Sequence, residues 1–452
     1  MARFIDTVRN AFKIEELKQR LIFTGLMLLV VRVGSFIAVP GIDVAAIDQA
    51  NVAGDANTLF GFFNQFVGGA YSNASIFSLG IMPYISASII IQLMTAVVPF
   101  FQKLQQEGEQ GRVQINTITR YITVALAFAQ GIAIAISIQN IDAGGGVPVV
   151  PISLQGPLFI LTAAFIMTAG TIFLMWIGEQ ITERGIGNGV SLIIFIGIVA
   201  RLPIAIQHEF ALASTSPGRV VIEIVIVAML LAIIAAVVLF TQAMRKIPVQ
   251  YAKRQVGNKS YSTPTQYLPI SLVTANVMPI IFAQTLMFLP QLLGQTFAGT
   301  GFGDYINTHF QHQGMIYSVV LAVMIIFFTF FYTAIVFSPK DVAERLRKNG
   351  GYIPGIRPGK PTEEYIDNIL TKITVPGSLF LALVAILPAF VLSLGVSGEF
   401  SAFFGGTSLL IIVGVALDTL KQIESYLLMR HYDGFMKSGK LRGRQASGQI
   451  PG

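Results

Sequence analysis

Long apolar stretches separated by short polar gaps run through almost the whole chain. A helix needs about 20 mostly apolar residues to cross roughly 30 Å of hydrocarbon. Ten stretches meet that length, near Leu21–Val39, Ala74–Val97, Tyr121–Ile138, Pro157–Ile177, Val190–Ile206, Val220–Thr241, Val277–Leu293, Met315–Phe337, Ser378–Val396 and Ser401–Leu420. The pattern predicts an all-α polytopic membrane protein. A repeat of five spans has to insert in opposite orientations, so ten spans suit two inverted halves. The halves are not visibly similar in sequence, so this symmetry is read from topology alone.

One apolar piece is too short to span. Thr58–Val67 contains Leu59, Phe60, Phe62, Phe63 and Phe66, and Gly68 and Gly69 follow it. Asn57 is placed to cap a short helix there. Segments of this length are either re-entrant, shielded by protein or a water-filled cavity, or amphipathic helices lying on the bilayer. The residues alone leave both open.

Charge orients the spans. Of the 30 lysines and arginines, all but Arg32, Arg201 and Arg219 fall in the gaps on one side of the ten stretches or in the two ends of the chain. Loops rich in Lys and Arg stay cytoplasmic, which predicts cytoplasmic termini. Residues 1–20 read as a polar, basic, amphipathic segment rather than a cleavable leader. The expected organisation is this segment, a first half over 21–206, a second half over 207–420 and a cytoplasmic tail over 421–452. Composition agrees, with 54% hydrophobic and 12% charged residues and a mean hydropathy of +0.69.

Several chemistries are excluded or left without support. There is no cysteine, hence no disulfide, thiolate zinc site or cysteine nucleophile. His208, His309, His312 and His431 form no HExxH pair. Gly301-Phe302-Gly303-Asp304 matches the GxGD string of intramembrane aspartyl proteases, but the only Tyr-Asp pair, Tyr432-Asp433, lies in the tail. Two carboxylates have to share a site for that chemistry. Gly355 to Lys360 is too short for a P-loop, and Pro361 replaces the required Ser/Thr. No catalytic residue, cofactor or metal is expected. Few ionisable residues lie deep in the spans, with Arg32, Glu223 and Asp418 as the candidates, which argues against ion-coupled pumping. Gln92, Gln130, Asn276 and Gln284 are polar span residues suited either to interhelical hydrogen bonds or to a seam that opens.

Two basic loops stand out, near 242–273 and 338–375. In the first, Ile247–Ile270 reads as a projecting β-ribbon, with Pro248, Pro264 and Pro269 confining strands to edges. The second runs through Asn349–Lys360, where Pro and Gly on both sides of Arg357 hold that guanidinium on a stiff, non-helical turn. Such an Arg serves the charge bias alone or docks an acidic protein or RNA phosphate.

The Asn349–Lys360 string NGGYIPGIRPGK resembles the matching loop of the SecY/Sec61-alpha family of protein-translocation channels. Gly80–Leu93, Leu174–Gly189, Gln250–Arg254, Pro279–Ala283 and Gly405–Ala416 resemble further segments of that family, in the same order. The resemblance implies two five-helix halves around a central pore, with a short plug helix near 57–67 and a cytoplasmic β-hairpin loop. It implies a pore ring of Ile81, Ile85, Val190, Ile194, Met278, Ile281, Leu409 and Ile411, and a plug comprising Asn57, Leu59, Phe60, Phe62, Phe63 and Phe66. Gln92, Asn276 and Gln284 would lie at a lateral gate between spans 2–3 and 7–8. Lys253, Arg254, Lys259 and Arg357 would dock partners. Met278 and Asn276 depart from the family's more usual isoleucine and glycine. The implied partners are SecE and SecG subunits, the SecA ATPase, the ribosome including its RNA, signal peptides, nascent membrane proteins and lipids. The implied setting is the bacterial plasma membrane. On the residues alone, a secondary transporter with midplane ion ligands and a non-conducting membrane scaffold are the rival classes.

Overall fold

The computed structural model describes residues 14–43, 46, 64, 66–139, 148–213, 217–251, 255–256, 259–260, 266–272, 278–296, 300–310, 314–393, 396–397, 400–401, 403 and 406–438. A helix meets each of the ten predicted spans. The first half holds α1 (Glu15–Gly34), α2 (Met82–Val97), a short α3 (Pro99–Gln106), α4 (Glu109–Gln139), α5 (Pro157–Arg184) and α6 (Gly189–Ala213). The second holds α7 (Pro217–Gln242), α8 (Met278–Thr296), a short α9 (Gly301–His309), α10 (Met315–Val336), α11 (Pro339–Lys348), α12 (Lys360–Ser393) and α13 (Gly406–Ser438). Among the described residues, six helices are individually long and apolar enough to cross a membrane.

The second span is shorter than predicted. Residues 74–81 do not join α2: Gly80 turns the chain at φ +57°, and the helix starts at Met82 with Pro83 in its first turn. Proline suits that position because its missing N–H has no intrahelical partner there. At the other end Val98 is extended, at φ −95° and ψ 120°, directly before Pro99. Proline disfavours a helical residue ahead of it, so α3 restarts in a new direction.

Small residues set the contact between α4 and α5. A Cβ added to Gly131 of α4 would lie 3.2 Å from Ala164 Cα of α5, and Ala127, Ala135 and Ala163 are buried nearby in the same cluster. Lipid supplies no hydrophobic force between helices, so close backbone approach carries the packing. Within the first half α2 also packs on α4, α5 on α6, and α1 on α5 and α6. In the second half α8 packs on α10, α10 on α12, and α13 on both α12 and α7. The halves meet on one side through α6 against α7 and α13, and on the other through α2 against α8.

The two basic loops form one body. The predicted ribbon is β1 (Met244–Tyr251) paired antiparallel with β4 (Gln266–Ser271), Met244 opposite Ser271 and Val249 opposite Gln266. A two-residue pair, β2 (Gln255–Val256) and β3 (Lys259–Ser260), lies between them. The second loop adds β5 (Gly351–Tyr352) to the other edge of β1. Pro269 sits on the edge strand β4, and Pro248 precedes the two β1 residues that pair with β5. Both prolines thus avoid a ladder position that needs their missing N–H. Beneath the sheet, Ile247, Val249 and Ile270 pack on Leu346 of α11 and on Ile366 and Leu370 of α12.

Candidate functional site

Four helices bring the predicted ring residues into one apolar cluster that spans both halves. Ile81 and Ile85 come from the start of α2, Val190 and Ile194 from α6, Met278 and Ile281 from α8, and Ile411 from α13. Ile81, Ile85, Ile194 and Ile411 are buried, and Val190, Met278 and Ile281 partly so. Spacings of three or four residues place each pair on one helix face. Leu409 is different. Residues two apart on a helix point to nearly opposite sides, and Leu409 lines a separate cavity between α6, α7 and α13. Leu409 is nonetheless buried in the same central cluster as Ile411.

Of the plug residues, Asn57, Leu59, Phe60, Phe62 and Phe63 lie outside the described residues, and Phe66 is buried in the central cluster. The segment around Phe66 is tied at its end. The Asn64 carbonyl accepts from Gly69 N at 2.9 Å, and Asn64 Oδ1 accepts from Ser72 N at 3.0 Å. Gly68 and Gly69 adopt φ of +66° and +91°, which glycine adopts at no steric cost. Arg32 Nη1, from α1, donates to the Gly68 carbonyl at 2.8 Å. On the other flank α6 presents Gly197, where a Cβ would stand 2.5 Å from the Phe66 carbonyl oxygen. A void of about 20 Å³ beside this seat is lined by Val31, Phe66, Val67, Ile81 and Ile193, room for about one water. The seat therefore shares Ile81 with the ring.

One predicted gate residue, Gln92, lines a second space. A cavity of about 250 Å³ is bounded by Gln92, Leu93 and Thr95 of α2 and by Phe282, Phe331 and Tyr332 of α8 and α10. Gln92 is half-buried, its Nε2 donating to Ser88 Oγ of the same helix at 3.4 Å. Phe282 meets the Phe328 and Tyr332 rings edge-on, with centroids 6.0 and 5.6 Å apart. Gln284 is buried on α8, and Asn276 lies outside the described residues. The seam between the halves thus has a polar-edged wall and an aromatic wall.

On the basic face, Arg357 is exposed. Its carbonyl accepts from Thr362 Oγ1 at 2.8 Å, and Gly355 and Gly359 on either side adopt φ of +83° and +108°. Lys259 lies in β3, paired with Val256. Lys253 and Arg254 fall outside the described residues.

A further node was not anticipated. In the Gly185–Gly189 loop, the Gly185 carbonyl accepts from Arg20 Nη1 at 3.4 Å, and Ile186 N donates to Thr24 Oγ1 at 3.1 Å. Gly187 N donates to Gln422 Oε1 at 2.9 Å, and Gly189 N to Thr182 Oγ1 at 2.9 Å. Ile186 packs with Leu17 and, on α13, Ile423 and Tyr426. This loop clasps the first and last described helices together.

Comparison with known proteins agrees with this architecture. The SecY family model matches residues 75–420. The protein translocase subunit SecY of Streptomyces galbus is 44% identical over 437 residues, covering 95% of this chain and 99% of that one. A solved SecY structure, described as one whose plug domain stabilises the closed state and maintains a membrane seal, superposes with a TM-score of 0.60 at 17% identity, covering 93% of this chain and 95% of that one. Sec61 in the canine ribosome–channel complex gives 0.61 at 16% identity over the same shares. The chain belongs to the SecY family of protein translocase channel subunits.

Proposed function

We propose that the ring drawn from α2, α6, α8 and α13 is the constriction through which unfolded secretory polypeptides cross the bacterial plasma membrane, with both termini cytoplasmic. The observation that carries this reading is the apolar ring with a Phe66–Gly68 segment seated beside it. An apolar constriction excludes ions by dewetting. Aliphatic contacts are non-directional, so the same ring deforms around any passing side chain. No bond is made or broken in such passage, and the chain acts as a conduit rather than an enzyme.

The segment around 57–67 closes the conduit and moves aside when a substrate enters. The seam between α2 and α8 is the lateral gate. A hydrophobic signal sequence lodged there partitions into lipid, gaining about 25 cal/mol per Å² of apolar surface. The work comes from outside: the SecA ATPase or a ribosome docks on the basic body around Arg357, Lys253, Arg254 and Lys259, and SecE and SecG complete the channel. The likeness to a channel in a ribosome complex supports the ribosome as one such partner.

The absence of cysteine makes a direct test available. One cysteine replaces Ile194 in the ring, and a control replaces Leu383, which is exposed on α12. A stalled secretory polypeptide carrying one cysteine is then oxidised in place. A disulfide at Ile194→Cys and not at Leu383→Cys is the expected result. An engaged substrate that forms none at Ile194→Cys overturns the pore assignment.

A further inference from the structure

The last helix of the second half, α13, is tied to the first half at both ends of its span. At the end near the basic loops, Gly187 N donates to Gln422 Oε1 at 2.9 Å. There the Arg20 guanidinium also lies over the Tyr426 ring, 5.2 Å from its centroid. At the opposite end, Glu209 Oε2, near the close of α6, accepts from the backbone N–H of Ser397 at 3.1 Å and from its hydroxyl. Ser397 lies in the connection that leads from α12 into α13. Glu209 is only 4% exposed, so little water competes for these bonds. Between the ties α13 packs more extensively on α6 than on α7 or α12.

The other long helices of the second half hold to one another instead. Phe240 of α7 stacks on Phe380 of α12, with centroids 3.8 Å apart. The β-sheet joins α7, α8 and α12 at the basic end, and α10 packs on both α8 and α12. Where α7 faces α6 and α13, packing is broken by a cavity of about 380 Å³. Atoms lining such a space lose dispersion contacts, so this seam is the weaker one. In chain order the helices cross it only twice, from α6 to α7 and from α12 to α13, and both crossings lie at the same end. The Glu209–Ser397 bond joins the two crossings.

We propose that α13 belongs mechanically to the first half, and that Glu209 is the residue that positions it there. The inference rests on the pore reading above. On opening, α7, α8, α10 and α12 swing as one body about the Glu209–Ser397 bond, while α13 stays with α6. The ring then parts unevenly. Ile411 keeps its place relative to Val190 and Ile194, and Met278 and Ile281 of α8 move away.

Cysteine pairs joined by a flexible bis-maleimide test this in the full chain, purified with its bound subunits and reconstituted in vesicles supplied with the SecA ATPase. Ile186→Cys with Ile423→Cys locks α13 to the first half, since the two side chains share one apolar cluster. Ile234→Cys with Val413→Cys locks α13 to α7 across the cavity. Leu93→Cys with Phe282→Cys locks the gate. Each cross-linked fraction is compared with the same variant before cross-linking. Translocation is expected to be unchanged by the first lock and abolished by the second and third. Block by the first lock, or passage through the second, would overturn the proposal. Passage through the gate lock would instead overturn the gate reading on which it rests. Glu209→Ala is expected to raise the ion conductance of the resting channel, and Glu209→Gln, which keeps an oxygen for Ser397, to hold it at the parental level. Equal conductance of Glu209→Ala and the parent would remove Glu209 from this role.

Discussion

Arg32 on α1 donates a 2.8 Å hydrogen bond to the carbonyl of Gly68, at the end of the segment carrying Phe66. A guanidinium in a span is costly unless its donors are met, and this contact meets one of them. The same bond fixes the segment beside Ile81. Replacing Arg32 with Met keeps the length and removes the donor. A hydrogen bond from a charged group is worth about 1.5–3 kcal/mol, so the closed arrangement should weaken by about 10- to 100-fold. Conductance of reconstituted channels should rise accordingly. Conductance equal to the parent would show that the seat does not depend on Arg32.

The two α13 residues allow an internal comparison. Ile411→Asn places an amide in the ring and should let water and ions through, and Ile85→Asn on α2 should do the same. Leu409→Asn alters the cavity on the other side of the helix and should leave ion leak at the parental level. Ion flux measured side by side decides it. An equal leak from Leu409→Asn and Ile411→Asn would place Leu409 in the ring beside Ile411.

Charge reversal at Arg357 should act on docking alone. The residue is exposed, and the hydrogen bond beside it uses its backbone carbonyl, so Arg357→Glu leaves the turn intact. Translocation in vesicles supplied with the motor should fall by at least about tenfold, as the loss of a charge-assisted contact implies. The amount of inserted protein should not change. Undiminished translocation would remove Arg357 from the docking surface.

The clasp at Gly185–Gly189 bears on stability rather than on passage. Gln422→Ala strands the Gly187 N–H, at a cost of about 1–3 kcal/mol. Gly189→Ala should cost at least as much, because its Cβ would stand 2.0 Å from the Gly178 carbonyl oxygen. Both variants should lower the thermal unfolding midpoint in detergent. A midpoint unchanged in both would mean that the loop does not hold α1 and α13 together.

The spans are legible because apolar length is a property of the chain itself. The ribbon is legible too, from its strand formers and prolines. The start of α2 at Met82 is within reach of the sequence, since Gly80 and Pro83 mark it. What stays hidden depends on partners far apart in the chain. Nothing local to Arg32 points to Gly68, and nothing local to Gln422 points to Gly187, 235 residues away. Gly197 reads as an ordinary small residue in a span until the Phe66 carbonyl is seen against it.

The pairing of β5 with β1 has a mechanical consequence. β1 follows directly from α7, β4 leads back toward α8, and the turn bearing Arg357 runs straight into α12. A load applied to that turn is shared among three helices of the second half at once. The sheet works as a lever arm with a common fulcrum. If a motor docks there as proposed, its push reaches those helices as a unit, with the other half as the anvil.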